Sequence, residues 1–270
     1  MRTLPSSDVD PTNGNDATII PAAAQEVLDL FGSICDHAAG VLGANADWAE
    51  SGRREGQYAI DLDVDAVCVH PLLAAGFDVL SEESGLQHHG AEAGQDVVVV
   101  DPLDGSTNAS LGLPWCATAL CLVSKGVPSV AMVTNLATGD RYTAVQDRGA
   151  DRNGRPILVA AASSLSDSIV AVNGLPSAHW GWQQFRAMGA AALDIAAVAR
   201  GGFDGYVDTT TDSHGVWDYL ASVLILREAG GVAVDAQGRD LVVLEHDARR
   251  TPIVASNAAL LGQLVEVRNP

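Results

Sequence analysis

The chain has 270 residues, 47% hydrophobic and 18% charged, with 27 Gly that follow no three-residue period. That composition excludes a collagen-like or wholly disordered chain and supplies a core for one large domain or two packed lobes. Against 34 Asp and Glu stand 15 Lys and Arg, a formal net charge of −19, so the surface repels nucleic-acid phosphates and anionic lipids, and neither is expected as a partner.

Residues 1–20 are polar and rich in Pro, Asn and Asp, and are expected to form a flexible N-terminal tail without the apolar stretch of a secretory signal. No apolar run approaches the roughly 20 residues that span a bilayer, so a soluble, cytoplasmic protein is expected. Pro21 opens a segment in which Val27, Leu30, Phe31, Ile34 and Ala38 recur at helical spacing, which predicts a helix of about five turns. A second helix is predicted around Asp65–Ala75, where Pro71 can kink it. Phe77–Leu80 and Val97–Val100 predict short strands, the second buried on both faces.

Beyond them TALCLV, PSVAMVTNL and YTAVQ alternate as sheet strands, with a hairpin across Thr138–Arg141 and an Asn-Gly turn in RNGRPI leading to another strand. A Ser-rich linker at Ala161–Ser168 precedes a βαβ-type alternation: strand SIVAVNG, helices around Trp182–Met188 and Ala190–Ala199, strand GYVDT, helix Tyr219–Ala229 and strand GVAVD. The expected organisation is a tail (1–20), an N-terminal α+β lobe (21–162) carrying most candidate metal ligands, and a C-terminal α/β lobe (163–270). Cys35, Cys68, Cys116 and Cys121 form no C-x-x-C pair and sit in apolar sequence, the pattern of reduced, buried thiols.

Three acidic clusters share one placement, after an apolar strand or before a helix: Ser81-Glu82-Glu83-Ser84, Asp101-Pro102-Leu103-Asp104-Gly105-Ser106-Thr107-Asn108, and Trp217-Asp218. Strand-end carboxylates converge at a sheet rim and need partners there. Tyr58 to Ser124 contains no Lys or Arg, which leaves bound cations to neutralise them. The ligands are all oxygen, so hard ions such as Mg²⁺, Mn²⁺ or Ca²⁺ fit and zinc does not. In D-P-L-D the proline stiffens a turn that aims Asp101 and Asp104 to one side, and the Leu103 carbonyl adds a third oxygen. Gly105, Ser106 and Thr107 present N–H groups and hydroxyls at a predicted helix N-terminus, a seat for phosphate. Metal ligands and a phosphate seat in one octapeptide point to metal-assisted hydrolysis of a phosphate ester; an Asx turn with a helix cap accounts for Asp104–Thr107 alone. His88, His89 and His214 are predicted as loop residues, and Trp180 and Trp182 as helix packing.

The octapeptide DPLDGSTN, the upstream Glu82-Glu83 pair and the later Trp217-Asp218 followed by Glu228-Ala229-Gly230-Gly231 resemble the inositol monophosphatase family of Mg²⁺-dependent, lithium-inhibited phosphatases, over the chain from the first helix to about Leu264. The resemblance implies an α/β fold, a layered αβαβα sandwich of the sugar-phosphatase type built from an α+β and an α/β lobe. It implies two or three Mg²⁺ ions, with Mn²⁺ as a substitute, held by Glu82, Asp101, the Leu103 carbonyl, Asp104 and Asp218, with Asp101 bridging two of them. Glu83 and Ser106 would orient the nucleophilic water, and Asp65 would hydrogen-bond the Ser106 hydroxyl. Ser81 and Ser106 stand where the family has Gly and Thr. Substrate contacts implied are Gly105, Ser106, Thr107, Gly189, Ala190, Asp208 and Asp218. Ala190 lacks the hydroxyl usual there, and Asp208 replaces a longer Glu.

The implied enzyme is a homodimeric phosphomonoesterase acting on a small phosphorylated metabolite, an inositol monophosphate or similar polyol phosphate. Histidinol-phosphate, fructose-1,6-bisphosphate and a 3′-phosphonucleotide stand as alternatives. A non-catalytic metal- or phosphate-binding protein is the reading from another class, against which the retained Glu83 and Ser106 stand.

Overall fold

The computed structural model describes residues 20–45, 48–53, 57–90, 94–162 and 164–269; apart from Ile20 the predicted tail lies outside them, as does Ser163 beside the predicted lobe boundary. Helix α1 (Ala22–Ala44) follows Pro21 directly and buries Leu28, Phe31, Ile34, Cys35 and Ala38 along one stripe. It is long and apolar enough to cross a membrane by length and composition alone, but its buried stripe packs into the protein core. Helix α2 (Ala59–Ala74) begins at Ala59 rather than near Asp65. The Tyr58 N–H donates to Asp61 Oδ2 at 2.8 Å and closes the first turn, while Asp61 and Asp65, four residues apart, are both buried. Pro71 sits inside the last turn, where it cannot donate to the carbonyl one turn back, while its own carbonyl accepts from the Ala75 N–H at 3.0 Å.

An eight-stranded sheet follows, built from β1 (Asp78–Ser81), β2 (Gly85–Gln87), β3 (Asp96–Asp104), β4 (Ala117–Ser124), β5 (Val127–Asn135), β6 (Arg141–Val145), β7 (Ala150–Arg152) and β8 (Arg155–Pro156), with the one-turn helix α3 (Ser106–Ser110) between β3 and β4. Its order is β2-β1-β3-β4-β5-β6-β7-β8, and β1 runs parallel to β3. A five-stranded sheet of order β10-β9-β11-β13-β12 comes from β9 (Ile169–Asn173), β10 (Gln184–Arg186), β11 (Gly205–Asp208), β12 (Val232–Asp235) and β13 (Pro252–Ala255). With it come helices α4 (Ala191–Ala199), α5 (Leu220–Glu228) and α6 (Ala258–Arg268).

Period-two alternation assigns the faces. Val98 and Val100 of β3 and Leu120 and Leu122 of β4 pack against α1 and α2. Val97, Val99, Ala119 and Cys121 face the opposite way, onto α4 and α5. Ala171, Tyr206 and Val254 of the second sheet meet α4 and α5 from the other side, while Val170, Val172, Val207 and Ile253 face α6. The layers are therefore α1/α2, sheet, α4/α5, sheet, α6, the expected αβαβα sandwich. The small residues of α4, AALDIAAVA, are all buried and let two sheets close on one helical layer.

The predicted helix at Trp182–Met188 is not formed. Residues 184–186 pair in parallel with β9 as an edge strand, and Trp182 packs with Trp180 and Phe185 at ring separations of 5.5 and 5.8 Å. Edge pairing outweighed local helical spacing. Strands β2 and β13 and helix α6 have no counterpart in the sequence expectation.

Ile225 of α5 is fully buried in the layer that both sheets share. Ile225→Ala is expected to lower unfolding free energy by about 2–5 kcal/mol in urea titrations; a loss below about 1 kcal/mol would show that α5 is not the shared core.

Candidate metal centre

Three chain segments bring their acids to one point. The parallel register pairs Ser81 with Val100, so Glu82, just beyond β1, lies beside Asp101; the Glu82 N–H donates to the Val100 carbonyl at 3.1 Å. Asp101 is still within β3 and 1% exposed. Asp218 ends the 3-10 turn before α5, where its Oδ2 accepts the Gly215 N–H at 2.7 Å. One ligand oxygen each from Glu82, Asp101 and Asp218 lie within 4.8 Å of one another. Unit charges at that spacing repel by about 3–4 kcal/mol per pair at an effective dielectric constant of about 20.

Asp101 Oδ1 accepts from the Leu103 N–H at 3.1 Å, whereas Oδ2 is buried without a hydrogen-bond partner. Burial first, then the charges of Glu82, Asp104, Asp218 and Glu83, hold the Asp101 carboxyl well above the usual range. Asp104 Oδ2 accepts from the Ala192 N–H at 2.7 Å, at the N-terminus of α4, where the helix dipole favours an anion. Burial and Asp218 nonetheless push Asp104 up to about 7. Leu103 sits between Asp101 and Asp104, where β3 breaks register with β4. An orphaned carboxylate oxygen in an all-oxygen cluster of like charges fits a hard divalent cation.

Glu83 Oε2 accepts from the Gln57 amide, and Gln57 Oε1 accepts from Ser51 Oγ at 2.5 Å. Ser81 Oγ donates to Asp65 and accepts from the Glu83 N–H at 3.3 Å. Asp65 thus takes its hydrogen bond from Ser81, where the resemblance paired it with Ser106. Ser106 opens α3 after Gly105, whose φ of 80° favours glycine. A Cβ on Gly105 would come within 2.9 Å of the Trp115 carbonyl and 3.0 Å of Ala190 Cβ. Asn108 Nδ2 donates to Met188 O at 2.7 Å and Trp115 O at 2.8 Å, fastening Gly189 and Ala190 against α3. Gly105, Ser106, Gly189 and Ala190 are therefore neighbours, and Thr107 is exposed.

Asp208 differs from its expected part. It is fully buried; Oδ1 accepts from Asn173 Nδ2 and the Thr210 N–H, and Oδ2 from Ser213 Oγ and His214 Nδ1, so neither oxygen is open to a substrate. His214 lies between β11 and the 3-10 turn, outside helix and named strand; it is buried and its Nε2 meets the Tyr206 hydroxyl at 3.0 Å. His88 and His89 both hold Asp78, at 2.7 and 2.8 Å. A cavity of about 210 Å³ beside Asp104 and Asp218 is lined also by Asn173, Asp194, Tyr206 and His214. A larger, apolar cleft of about 660 Å³ along α1 holds none of these carboxylates. Asp194 carries a signal as the lone acid of an apolar helix; Gln57 and Arg249, whose charge opposes the rise of Asp218, carry none.

Residues 22–269 match the family described as the inositol monophosphatase family. The inositol-1-monophosphatase of Rhizobium meliloti is 37% identical over 157 residues, 52% of this chain and 57% of that protein, so the match spans less than two thirds of that relative. The Nus factor SuhB of Xylella fastidiosa is 33% identical over 201 residues, 68% of this chain and 70% of that protein. The structure of inositol monophosphatase from Anabaena is similar at a TM-score of 0.73 and 27% identity, covering 91% of this chain and 96% of that one.

A carboxyl group whose folded pKa is raised binds its proton more tightly folded than unfolded, so its contribution to stability falls as pH rises through the folded value. With Asp104 at about 7 and His214 also raised by Asp208 against burial, the metal-free protein is expected to lose several degrees of Tm between pH 5 and 8. Mg²⁺ is expected to restore it, most strongly at pH 8. Thermal melts in EDTA and in Mg²⁺ check this; a rising metal-free Tm over that interval contradicts it.

Proposed function

The chain belongs to the inositol monophosphatase family, and we propose on that premise that it is a Mg²⁺-dependent phosphomonoesterase acting on a small polyol phosphate such as an inositol monophosphate. The observation that carries the reading is the convergence of Glu82, Asp101 and Asp218 within 4.8 Å, with a buried Asp101 oxygen left without a hydrogen bond. Glu82, Asp101, Asp104 and Asp218 with the Leu103 carbonyl would hold the cations. A hard divalent cation there supplies Lewis acidity to the phosphoryl group and lowers the pKa of the attacking water.

The chain's own groups do the rest. Glu83, fixed by Gln57 and by Ser81, accepts the proton of the water while the Ser106 hydroxyl orients it. Asp65 steadies that pair through Ser81. The N–H groups of Gly105, Ser106 and Thr107 hold phosphate oxygens, and Asp218 steers the water that protonates the leaving alcohol. Gly189 and Ala190 line the alcohol side. No Lys or Arg lines the 210 Å³ cavity, whose titratable groups are Asp104, Asp194, Asp218, Tyr206 and His214. That lining suits a hydroxylated alcohol and disfavours a second phosphate there, and so favours a monophosphate over a bisphosphate. From family membership we also infer lithium inhibition, two lobes meeting near residue 162, a homodimer and a cytoplasmic setting.

Phosphate release is to be measured over inositol monophosphate, histidinol-phosphate, fructose-1,6-bisphosphate and a 3′-phosphonucleotide. Release from the polyol monophosphate is expected in Mg²⁺ and lost in excess EDTA; full turnover in EDTA would sink the metal-dependent reading. Glu83→Gln and Ser106→Ala should each lower kcat by roughly 10²–10⁴ with cation affinity retained. Their double variant should lose less than the product, because both act on one water. Full additivity would remove the shared water.

A further inference from the structure

The metal cluster draws Glu82 from the first sheet and Asp218 from the turn before α5, and a surface turn beyond β12 touches both segments. His246 Nε2 lies 3.0 Å from the Glu82 carbonyl oxygen, which only accepts, so the imidazole donates. The same ring packs on the Trp217 indole, with centroids 4.8 Å apart and planes inclined by 31°. Trp217 immediately precedes Asp218. Arg249 lies over the Trp217 ring at 5.1 Å, and its Nη1 donates to the carbonyls of His246 at 2.7 Å and Ala248 at 2.9 Å. The turn itself is closed by the Ala248 N–H on the Glu245 carbonyl. Beneath the indole sits Gly215, where a Cβ would come within 2.3 Å of the ring, so the indole lies directly on the backbone that donates to Asp218 Oδ2.

We propose that His246 is a positioning residue for the metal centre: by donating to the Glu82 carbonyl and stacking on Trp217, it locks two of the cluster's carboxylates at cation-binding distance. This rests on the metal-centre reading above and adds to it a residue that contacts neither cation nor substrate.

The physical need is specific. Glu82 and Asp218 repel each other and Asp101, and they belong to different layers of the sandwich, so each can retreat independently. Glu82 is pinned on one side by its N–H on Val100; His246 pins the carbonyl of the same residue from the opposite layer. With both ends of its backbone held, the Glu82 side chain starts from a fixed origin. The indole that borders Asp218 is the surface His246 rests on, so one ring sets the separation of the two segments. Pre-organisation of this kind lowers the reorganisation that cation binding demands without altering the reacting groups. The half-exposed ring can be removed without opening the core.

Calorimetric titration of the purified protein with Mn²⁺, alongside Mg²⁺-dependent turnover, tests the assignment. His246→Ala is expected to weaken Mn²⁺ binding roughly three- to tenfold, the effect of one lost hydrogen bond, and to raise the Mg²⁺ concentration for half-maximal activity in step. At saturating Mg²⁺ its kcat should stay close to that of the parent. His246→Gln, which keeps a donor of similar reach, should recover most of the affinity, and His246→Asn, whose amide falls short, should not. Equal Mn²⁺ affinity in the parent and His246→Ala overturns the proposal. So does a kcat loss at saturating Mg²⁺ with affinity unchanged, or equal weakening in the Gln and Ala variants. If the parent binds no divalent cation, the metal-centre reading falls as well, which separates that failure from failure of His246 alone.

Discussion

Like charge forced into a small volume is the constraint around which this molecule is arranged. Glu82, Asp101 and Asp218 converge within 4.8 Å, the charge of Asp104 acts against Asp101 and that of Asp218 against Asp104, and the stretch from Tyr58 to Ser124 that supplies three of the four contains no Lys or Arg. Left alone, such a cluster either takes up protons or moves apart. The raised positions of Asp101, Asp104 and Asp218 are the first response. The packing of the sandwich prevents the second, and a divalent cation satisfies both demands at once.

The fold makes that packing possible by setting the shared helical layer between two sheets. Asp101 is fixed by β3, which is buried on both faces, with α1 and α2 on one side and α4 and α5 on the other. Asp104 rests on the first turn of α4 and Asp218 at the entry to α5, so the two helices of the central layer aim their N-terminal ends at the acids. Cores built from Val, Leu and Ala thereby hold polar groups rigidly at their margin, the condition for a pre-organised site.

Much of this was legible in the sequence because it is local. The strand VVVV followed by DPLDGSTN fixes both the burial of β3 and the emergence of its acids, and the alternation of SIVAVNG and GYVDT marks the second sheet. What escaped is non-local. The edge strand at Gln184–Arg186 depends on pairing with β9, which no local spacing reveals. Asp208 stands where the resemblance implies a substrate-contacting acid, yet His214, Ser213, Asn173 and Thr210 close over it, because the segment that follows Asp208 folds back on its own start. Ser81 in place of a family glycine was visible, but only the approach of α2 showed that its hydroxyl would reach Asp65. Helix α2 was shortened in prediction because Asp61, Asp63 and Asp65 obscure its amphipathic pattern, while the structure turns two of the three inward.

The central claim is that the carboxylates form a divalent cation site rather than a protonated structural cluster. Crystals grown with Mn²⁺ and inorganic phosphate, measured for anomalous scattering at the manganese edge, address it directly. The account predicts strong anomalous peaks among Glu82, Asp101 and Asp218, with phosphate density against Gly105 and Ser106. A Mn²⁺-soaked structure in which those carboxylates keep their spacing and no anomalous peak lies among them would contradict it.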